Sequence, residues 1–230
     1  MDKESKVSAI IVAAGSGKRI GGSVKKQYLE IKKKPILIYS LERFQHCVDV
    51  KDIILVAPKS DIPKLKNIIF NEFNLSKVSN IVAGGSERYH SVLEGLKVVA
   101  DDTEFVAVHD GVRPLVTVEK ISQVIRAAKK YGSAILGVKP KETIKSVESD
   151  FVKKTVNRDL LISVQTPQVF KKEILVTAYH HAFKSQQFGT DDSAMVEKLG
   201  NRIFVVPGDY ENIKITSVED LLIAEKLLGS

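Results

Sequence analysis

Two glycines and four basic side chains lie together near the start of the chain. Gly15 and Gly17 follow a short apolar run, and the basic residues come soon after at Lys18, Arg19, Lys25 and Lys26. Because glycine has no side chain, the backbone N–H groups of such a loop can approach phosphate oxygens closely. The neighbouring cations would offset the charge of a polyanion. The segment therefore predicts a binding site for a ligand rich in phosphate.

The two commonest glycine-loop motifs do not fit this segment. The dinucleotide fingerprint requires a third glycine where this chain has Ile20. The P-loop spacing is met from Gly17 to Gly22, but Ser23 and Val24 stand where that motif needs lysine followed by serine or threonine. For the segment taken alone, a glycine turn with a solvated basic face is the less favoured alternative.

Apolar runs alternate with helical patterns through the first two-thirds of the chain. The runs predict strands at residues 8–12, 53–57, 80–82, 105–108 and 134–138, and the amphipathic patterns predict helices at residues 35–44, 62–70, 88–100 and 118–130. This alternation is typical of βαβ units, so we expect an α/β fold with a Rossmann-like, mainly parallel sheet flanked by helices. Ligands bind beyond the carboxyl ends of such strands, where residues 15–19 and 109–113 would both lie.

Residues 139–158 interrupt the alternation. Residues 143–148, a turn at Ser149 and Asp150, and residues 151–156 predict a β-hairpin. A lone hairpin is marginally stable in water, so this one is expected to pack on another surface. Later patterns predict helices at residues 171–184 and 192–199, a strand at 203–206, and a last helix opened by a capping box at 216–219. We expect residues 1–230 to form one domain with the hairpin as a protruding arm.

Composition limits the class of protein. The chain has 230 residues, of which 43% are hydrophobic, and its formal net charge is +7. Aromatic residues make up only 7% and tryptophan is absent, so the charge suits phosphorylated small molecules at least as well as nucleic acid. No run approaches the ~20 apolar residues that span a bilayer, and no secretory signal is visible, so we expect a cytoplasmic protein without a membrane partner. The single Cys47, expected on a buried helix face, excludes an internal disulfide.

Six short motifs in register resemble the nucleotidyltransferases, and among them the 2-C-methyl-D-erythritol 4-phosphate cytidylyltransferase family. They are AAGSGKR and KQY at residues 13–19 and 26–28, GGSER and SV at 84–88 and 91–92, VHDGVRP at 108–114, TPQVF at 166–170, TDDS at 190–193 and NIKIT at 212–216. The resemblance runs from about residue 8 to residue 227. It implies transfer of a cytidylyl group from CTP to a polyol phosphate in non-mevalonate isoprenoid synthesis, with release of pyrophosphate.

The resemblance also implies roles for individual residues. The catalytic cations would be Arg19, Lys26 and Lys214. The residues binding CTP would be Ala13, Ala14, Gly15, Gly17, Gly84, Gly85 and Ser91. Those binding the polyol phosphate would be Asp110, Arg113, Thr143, Arg158 and Thr166, with Thr143 and Arg158 delivered by the arm of a second subunit in a homodimer. Mg²⁺ would be bound mainly through the CTP phosphates, and no protein metal site is assigned.

The implied reaction needs no protein base. A phosphate monoester has a second pKa near ~6, so at neutral pH it is largely a nucleophilic dianion. The obstacle is to bring two anions together, which positioned cations overcome. His109 is accordingly interpreted as a packed, hydrogen-bonded ring, and Thr190 as the cap of a helix that begins with Asp191 and Asp192.

The chain departs from the usual family pattern in a few places. Ser86 stands where relatives carry an acid, Gly111 and Val112 replace a pair of alanines, and Asn157 replaces an aspartate. Val24 with Lys25 replaces residues that commonly include a proline. A valine like Val112 is also favoured by ribitol-5-phosphate cytidylyltransferases. That substrate remains an alternative, as does a basic α/β module that binds a nucleotide or RNA without turnover.

Overall fold

The computed structural model describes residues 6–15 and 25–229. In chain order its main elements are β1 (Val7–Val12), β2 (Glu30–Ile31), β3 (Lys34–Pro35), α1 (Ile36–His46), β4 (Asp52–Ala57), α2 (Ile62–Asn67), β5 (Val78–Ala83), α3 (Arg88–Leu96), β6 (Phe105–Asp110), α4 (Val118–Tyr131), β7 (Ser133–Val138), β8 (Lys145–Glu148), β9 (Phe151–Thr155), β10 (Ser163–Lys171), α5 (Lys172–Ser185), α6 (Asp192–Glu197), β11 (Phe204–Pro207) and α7 (Val218–Leu227). No helix in these described ranges is long and apolar enough to cross a lipid bilayer.

Seven strands form the central sheet, in the order β11-β7-β10-β6-β1-β4-β5. Strand β1 pairs in parallel with both β4 and β6, and only β10 runs antiparallel to its neighbours. The chain moves outward from β1 to β4 and β5, then returns to place β6 on the other side of β1. The carboxyl ends of β1 and β6 therefore meet at a topological switch point, where ligands of open α/β sheets bind. The predicted α/β class and mainly parallel sheet are confirmed.

Both faces of the sheet are buried, which explains why its central strands are continuously apolar. On one face Ile11 packs in a core formed with α1 and α4. On the other face Ile10 packs against residues of α3, α5 and α6. A third, smaller cluster includes Ile31 of β2, Ile215 and Ala224 of α7, and so attaches the last part of the chain beside the first hairpin.

Two hairpins lie outside the central sheet. Strands β2 and β3 are joined by Lys32 and Lys33, which both have positive φ and form an exposed basic turn before α1. Strands β8 and β9 form the predicted hairpin, with the turn at Ser149 and Asp150, again both at positive φ. Such two-residue turns match the twist of the flanking strands.

Strand β10 is the main element that the sequence patterns missed. It lies in the middle of the sheet, between β6 and β7, although Pro167 interrupts its apolar run. Its register with β7 shifts between Gln165 and Gln168, which accommodates a residue that cannot donate a ladder hydrogen bond. Proline is ordinarily confined to edge strands or bulges, and here the bulge allows it in a central strand.

Several helix boundaries also differ from the prediction. The helix predicted over residues 62–70 ends as α2 at Asn67 and continues as a wider π-type turn, Ile68–Glu72. Helix α3 ends at Leu96, four residues before the expected end. The capping box of α7 is formed by Ser217 and Asp220, one residue later than predicted. Cys47 is buried in the core, but it caps the end of α1.

Candidate active site

A cleft of about 480 Å³ opens at the switch point between β1 and β6. Its size is within the range of small-molecule sites. It is lined by Val12, Ala13, Ala14, Gly15, Lys26, Gln27, Gly85, Ser86, Glu87, Arg88, Ser91, Asp110, Val112 and Lys214. All of them except Val12 come from four of the six motifs, so the fold brings together segments as far apart in the chain as Ala13 and Lys214. Among them are eight of the predicted site residues: Ala13, Ala14, Gly15, Gly85, Ser91, Lys26, Asp110 and Lys214.

Small residues shape one wall of the cleft. A Cβ atom at Gly84 would overlap the Cβ of Ala14, so only glycine allows these two segments to approach as they do. The N–H of Gly85 donates to Ser91 Oγ at 3.2 Å, and that hydroxyl donates in turn to the Glu87 carbonyl. The loop after β5 is thereby fixed against the first turn of α3. A wall made of such small residues leaves room for a flat ring to lie against it.

Lys26 begins a short 3-10 turn, Lys26–Tyr28, that is anchored on both sides. Gln27 is buried, and its amide donates to the carbonyl oxygens of Ala13 and Gly15. On the other side Asp61 accepts from Lys25 Nζ at 2.7 Å and from Tyr28 Oη at 2.8 Å. Burial and the carboxylate of Asp61 raise the pKa of Tyr28 far above its usual value, so this hydroxyl remains a donor. The carboxylate of Asp61 therefore holds both Lys25 and Tyr28, the residues on either side of Lys26 and Gln27.

Asp110 is the last residue of β6 and is surrounded by cations. Its Oδ2 lies 2.8 Å from Lys214 Nζ and 3.8 Å from Arg113 Nε, and its Oδ1 accepts from Arg88 Nε at 3.0 Å. Burial by itself would raise the pKa of Asp110. The charges of Arg88, Lys214 and Arg113 outweigh that effect and hold the pKa well below its usual range. Asp110 is accordingly an ionised hydrogen-bond acceptor at neutral pH.

Lys214 reaches this cleft because the residues on either side of it are fixed. The N–H of Ile215 donates to the Val112 carbonyl at 2.9 Å, and the Ile215 side chain is fully buried. Asn212, also buried, donates from its amide to the Thr166 carbonyl. A segment near the end of the chain is thereby held beside the end of β6.

Arg88 at the start of α3 connects Asp110 to a second, deeper carboxylate. Its Nη2 donates to Asp192 Oδ2 at 2.8 Å, and Tyr179 Oη donates to Asp192 Oδ1 at 2.5 Å. The side chain of Asp192 is completely buried. Burial would lower the pKa of Arg88, but Asp192 and Asp110 outweigh it and raise that pKa. Burial and the charge of Asp192 raise the pKa of Tyr179.

Thr166, Arg113 and His109 lie immediately behind the cleft. Thr166 Oγ1 accepts from the Asp110 N–H at 3.1 Å and lies 3.0 Å from His109 Nδ1. His109 is fully buried against Phe44, and burial lowers its pKa to about 3. The ring is therefore neutral and packed, as the sequence analysis expected. Arg113 donates from Nη1 to the Asn212 carbonyl, while its buried Nε has no hydrogen-bond acceptor within the described ranges.

Thr143 and Arg158 lie at the base of the arm and do not line the cleft of their own chain. Both are exposed, and Arg158 Nη1 donates to the Lys141 carbonyl. Beyond them the hairpin presents Val147, Phe151 and Val152, each more than 60% exposed. The arm of a single chain thus presents three exposed apolar side chains, with two candidate site residues at its base.

Gly17 and Arg19 lie outside the described residues, so their predicted roles remain predictions. The capping prediction near residue 190 was wrong by one position, since Asp191 caps α6 through a hydrogen bond from the Ala194 N–H. Five residues of this region were given no role from the sequence: Arg88, Asp192, Gln27, Asp61 and Tyr179. The first three lie within the six motifs, and their place there was the signal that could have identified them. Asp61 and Tyr179 lie outside the motifs.

The residues that bind a metal ion most readily do not cluster here. Within residues 6–15 and 25–229 there is no group of three or more Asp, Glu, His or Cys side chains that could hold one. Asp110 lines the cleft, but Arg88 and Lys214 already occupy its oxygens. Protein-bound Mg²⁺ is commonly held by one or two carboxylates together with substrate phosphates. The donor set therefore fits a cation that arrives on a nucleotide better than one held by protein side chains alone.

An α/β sheet with a glycine-lined, cationic cleft at its switch point is the arrangement expected of a nucleotidyltransferase, and the family comparison shows that class. Residues 7–230 match the family described as IspD: 2-C-methyl-D-erythritol 4-phosphate cytidylyltransferase. The chain belongs to this family.

Individual relatives agree with that assignment over nearly the whole chain. The 2-C-methyl-D-erythritol 4-phosphate cytidylyltransferase of Clostridium tetani is 45% identical over 227 residues, covering 98% of this chain and 92% of the relative. The enzyme of the same name from Caldanaerobacter subterraneus is 45% identical over 96% of this chain and 98% of its own. The crystal structure of 4-diphosphocytidyl-2C-methyl-D-erythritol synthase from Anaerococcus prevotii superposes with a TM-score of 0.87 at 34% identity, covering 99% of this chain and 100% of that one. The ribitol-5-phosphate alternative is not favoured by these relatives.

Proposed function

We propose that this enzyme joins CTP and 2-C-methyl-D-erythritol 4-phosphate to give 4-diphosphocytidyl-2-C-methyl-D-erythritol and pyrophosphate in isoprenoid biosynthesis. The observation that carries the proposal is the position of Lys214, 2.8 Å from the ionised Asp110 and in the same cleft as Lys26. One site then contains a carboxylate that can accept hydrogen bonds from sugar-like hydroxyl groups and two lysines that can bind phosphates. The family membership supports the same reaction.

In the proposed reaction an oxygen of the substrate phosphate attacks the α-phosphorus of CTP. A new P–O bond forms as the bond to the bridging oxygen of pyrophosphate breaks, and pyrophosphate leaves with the electron pair. The attacking phosphate is largely a dianion at neutral pH, so no protein group has to remove a proton from it. His109 is buried and its lowered pKa makes it a weak base, which is consistent with a mechanism without a protein base.

Lys26 and Lys214 would stabilise the negative charge that builds up on the five-coordinate α-phosphate, and Arg19 would contact the remaining CTP phosphates. Preorganised donors of this kind act strongly because water is partly excluded around them. Mg²⁺ bound to the CTP phosphates would neutralise further charge. The cytosine and ribose would contact Ala13, Ala14, Gly15, Gly17, Gly84, Gly85 and Ser91.

The polyol phosphate would be held on the opposite side of the cleft. Asp110 would accept hydrogen bonds from its hydroxyl groups, and Arg113, whose Nε is buried without an acceptor in the described part of the chain, would donate to its phosphate. Thr166 would fix the backbone at Asp110. Thr143 and Arg158 would come from the arm of a partner subunit, because they do not line the cleft of their own chain.

We further propose that residues 1–230 act as one catalytic domain, and that residues 139–158 form the arm of a homodimer. The exposed apolar side chains of the arm support this, because a lone two-stranded hairpin needs a packing surface. We also propose that the substrates are phosphorylated small molecules rather than nucleic acid, and that the enzyme acts in the cytoplasm.

The test is pyrophosphate release from CTP and Mg²⁺, with methylerythritol phosphate and ribitol-5-phosphate offered separately. Release with the first substrate alone is expected. Release with ribitol-5-phosphate alone would transfer the assignment to the alternative substrate. Binding of CTP without release in either reaction would indicate a binding module. Lys26→Gln should slow release by about 10²–10³-fold, whereas Lys66→Gln, an exposed lysine on α2, is the matched control.

A further inference from the structure

Four side chains from four different elements form a continuous polar chain that ends at the cleft. It runs from Tyr179 on α5 to Asp192 at the start of α6, then to Arg88 at the start of α3, and finally to Asp110 at the end of β6. The successive donor–acceptor distances are 2.5, 2.8 and 3.0 Å. The three residues beyond Asp110 are placed in no role by the proposed reaction.

The deep end of this chain is rigid. Asp192 has no exposed side-chain surface, and both of its carboxylate oxygens accept hydrogen bonds, one from Tyr179 and one from Arg88. The backbone around it is also fixed, because Gln168 on β10 accepts from the Ser193 N–H and donates to Asp191. A buried carboxylate held in this way leaves the guanidinium little freedom to rotate.

Arg88 contacts its two carboxylates through different nitrogens of one planar group. Nη2 binds Asp192, and Nε, fixed by the same plane, is directed at Asp110 Oδ1. Asp192 therefore sets the orientation of the guanidinium, and the guanidinium sets the orientation of the Asp110 carboxylate. Lysine could not do the same, since its ammonium group is a point charge without a fork.

The other oxygen of Asp110 has a more mobile partner. Its Oδ2 contacts Lys214, whose side chain is 37% exposed and which the proposed reaction also directs toward phosphate oxygens. When Lys214 turns part of its hydrogen-bonding capacity to the reacting groups, Asp110 needs another contact that does not move. Arg88 is the cation in the right place for this.

We propose that Arg88, oriented by Asp192 and Tyr179, is a positioning residue that holds the Asp110 carboxylate in the geometry that binds the hydroxyl groups of the polyol phosphate. The inference rests on the proposed function, because it deepens the role of Asp110 in that reaction. Under this proposal, the selectivity for the polyol phosphate depends on the hydroxyl group of Tyr179 on α5, which is too deeply buried to touch that substrate.

Arg88→Lys and Tyr179→Phe test the role, with Tyr131→Phe, a half-exposed tyrosine at the end of α4, as the matched control. Losing a hydrogen bond to a charged group should raise the KM for methylerythritol phosphate about tenfold or more in Arg88→Lys, and about threefold or more in Tyr179→Phe. The KM for CTP should change less than about twofold in both, because neither variant alters the wall proposed for the base. Tyr131→Phe should leave both constants unchanged.

A double-mutant cycle with Asp110→Asn separates positioning from a general structural role. If Arg88 acts through Asp110, Arg88→Lys should add less than about a twofold further increase in that KM once Asp110 is replaced. An undiminished effect in the Asp110→Asn background, or an equal rise in the KM for CTP, would overturn the proposal. If circular dichroism shows that Arg88→Lys does not fold, the same double-mutant cycle is measured with Tyr179→Phe in place of Arg88→Lys, and its result tests the proposal.

The failure of this inference and that of the proposed function are distinguishable in the same assay. A wild-type enzyme that releases no pyrophosphate from CTP and methylerythritol phosphate would refute the proposed function, and the positioning role with it. A wild-type enzyme that turns over, with unchanged constants in Arg88→Lys and Tyr179→Phe, would refute the positioning role alone.

Discussion

The side-chain amide of Gln27 donates a hydrogen bond to the carbonyl oxygen of Ala13, 2.8 Å away, and so joins the turn that begins with Lys26 to the end of β1. The same amide donates to Gly15 at 3.1 Å. All four residues line the cleft, so one buried side chain sets the spacing between the proposed base-binding wall and the proposed catalytic lysine.

Replacing Gln27 should therefore impair both stability and nucleotide binding. Gln27→Leu removes two hydrogen bonds from a residue that is 1% exposed, and leaves two carbonyl oxygens without this donor. We expect a loss of about 1–3 kcal/mol in the free energy of unfolding and a weaker affinity for CTP. Chemical denaturation and calorimetric titration with CTP measure the two effects. Gln123→Leu on α4, whose amide donates to Glu119 on the surface, should change neither.

Asp61 should matter to catalysis although it lies outside the cleft. Asp61→Asn weakens the hydrogen bonds that hold Lys25 and Tyr28, and the turn that carries Lys26 would lose one of its two anchors. The expected result is a kcat lowered about threefold to tenfold, from the loss of a charge-assisted contact. Steady-state kinetics provide the measurement. The same substitution should have no further effect in a Lys26→Gln background; a full effect there would mean that Asp61 does not act through Lys26.

Lys214→Ala should lower kcat by about 10²–10³, the range found for removing one preorganised donor from a developing negative charge. The KM for CTP should rise much less, since the lysine is proposed to act mainly in the transition state. Single-turnover measurements of pyrophosphate release separate chemistry from product release. An unchanged kcat would show that Lys214 serves only as the partner of Asp110.

If the site takes residues from two subunits, inactive variants should complement one another. Mixing Lys26→Gln with Arg158→Ala and allowing subunits to exchange would rebuild one intact site in each mixed dimer. At random exchange this gives about a quarter of the wild-type activity, because half of the dimers are mixed and each has one intact site. Mixing Lys26→Gln with Lys214→Ala, both in the cleft of one chain, should restore nothing. Restored activity with that second pair would contradict the proposed division of the site.

Stability should fall with pH in a window set by His109. Burial lowers the pKa of His109 from 6.5 to about 3, so between these values the unfolded chain binds a proton that the native chain does not. The free energy of unfolding therefore decreases as pH falls through this window, by at most about 1.4 kcal/mol per pH unit from this one group. The lowered pKa of Asp110 adds a loss in the same direction, but only at more acidic pH, near and below the value of 3.8 for a free aspartate.

His109→Gln should flatten that dependence between pH 6 and pH 4.5, approximately the upper half of the window. Urea denaturation at several pH values gives the slopes. His46→Gln, at an exposed position at the end of α1, is the control and should retain the wild-type slope. A wild-type slope in His109→Gln would assign the acid sensitivity to other groups.

The local patterns of the chain by themselves determined most of the fold and about half of the site. Strands such as β1 and β6 are continuously apolar because both faces of the sheet are covered, and helices such as α4 show their buried face in the spacing of their apolar residues. Glycine turns and the Ser149–Asp150 hairpin turn are equally local, since they follow from backbone conformations that few residues adopt. The roles of the glycines, the lysines and Asp110 came instead from the resemblance of the six motifs to a known family.

Tertiary structure decided what depends on partners distant in the chain. Strand β10 could not be predicted because its stability comes from two neighbouring strands and a bulge, which outweigh the local cost of Pro167. The same holds for Asp61, Tyr179 and the link from Asp192 through Arg88 to Asp110, whose members are 22 and 104 residues apart along the chain. A buried charge is tolerated only where an opposite charge meets it, and that meeting is a property of the folded chain.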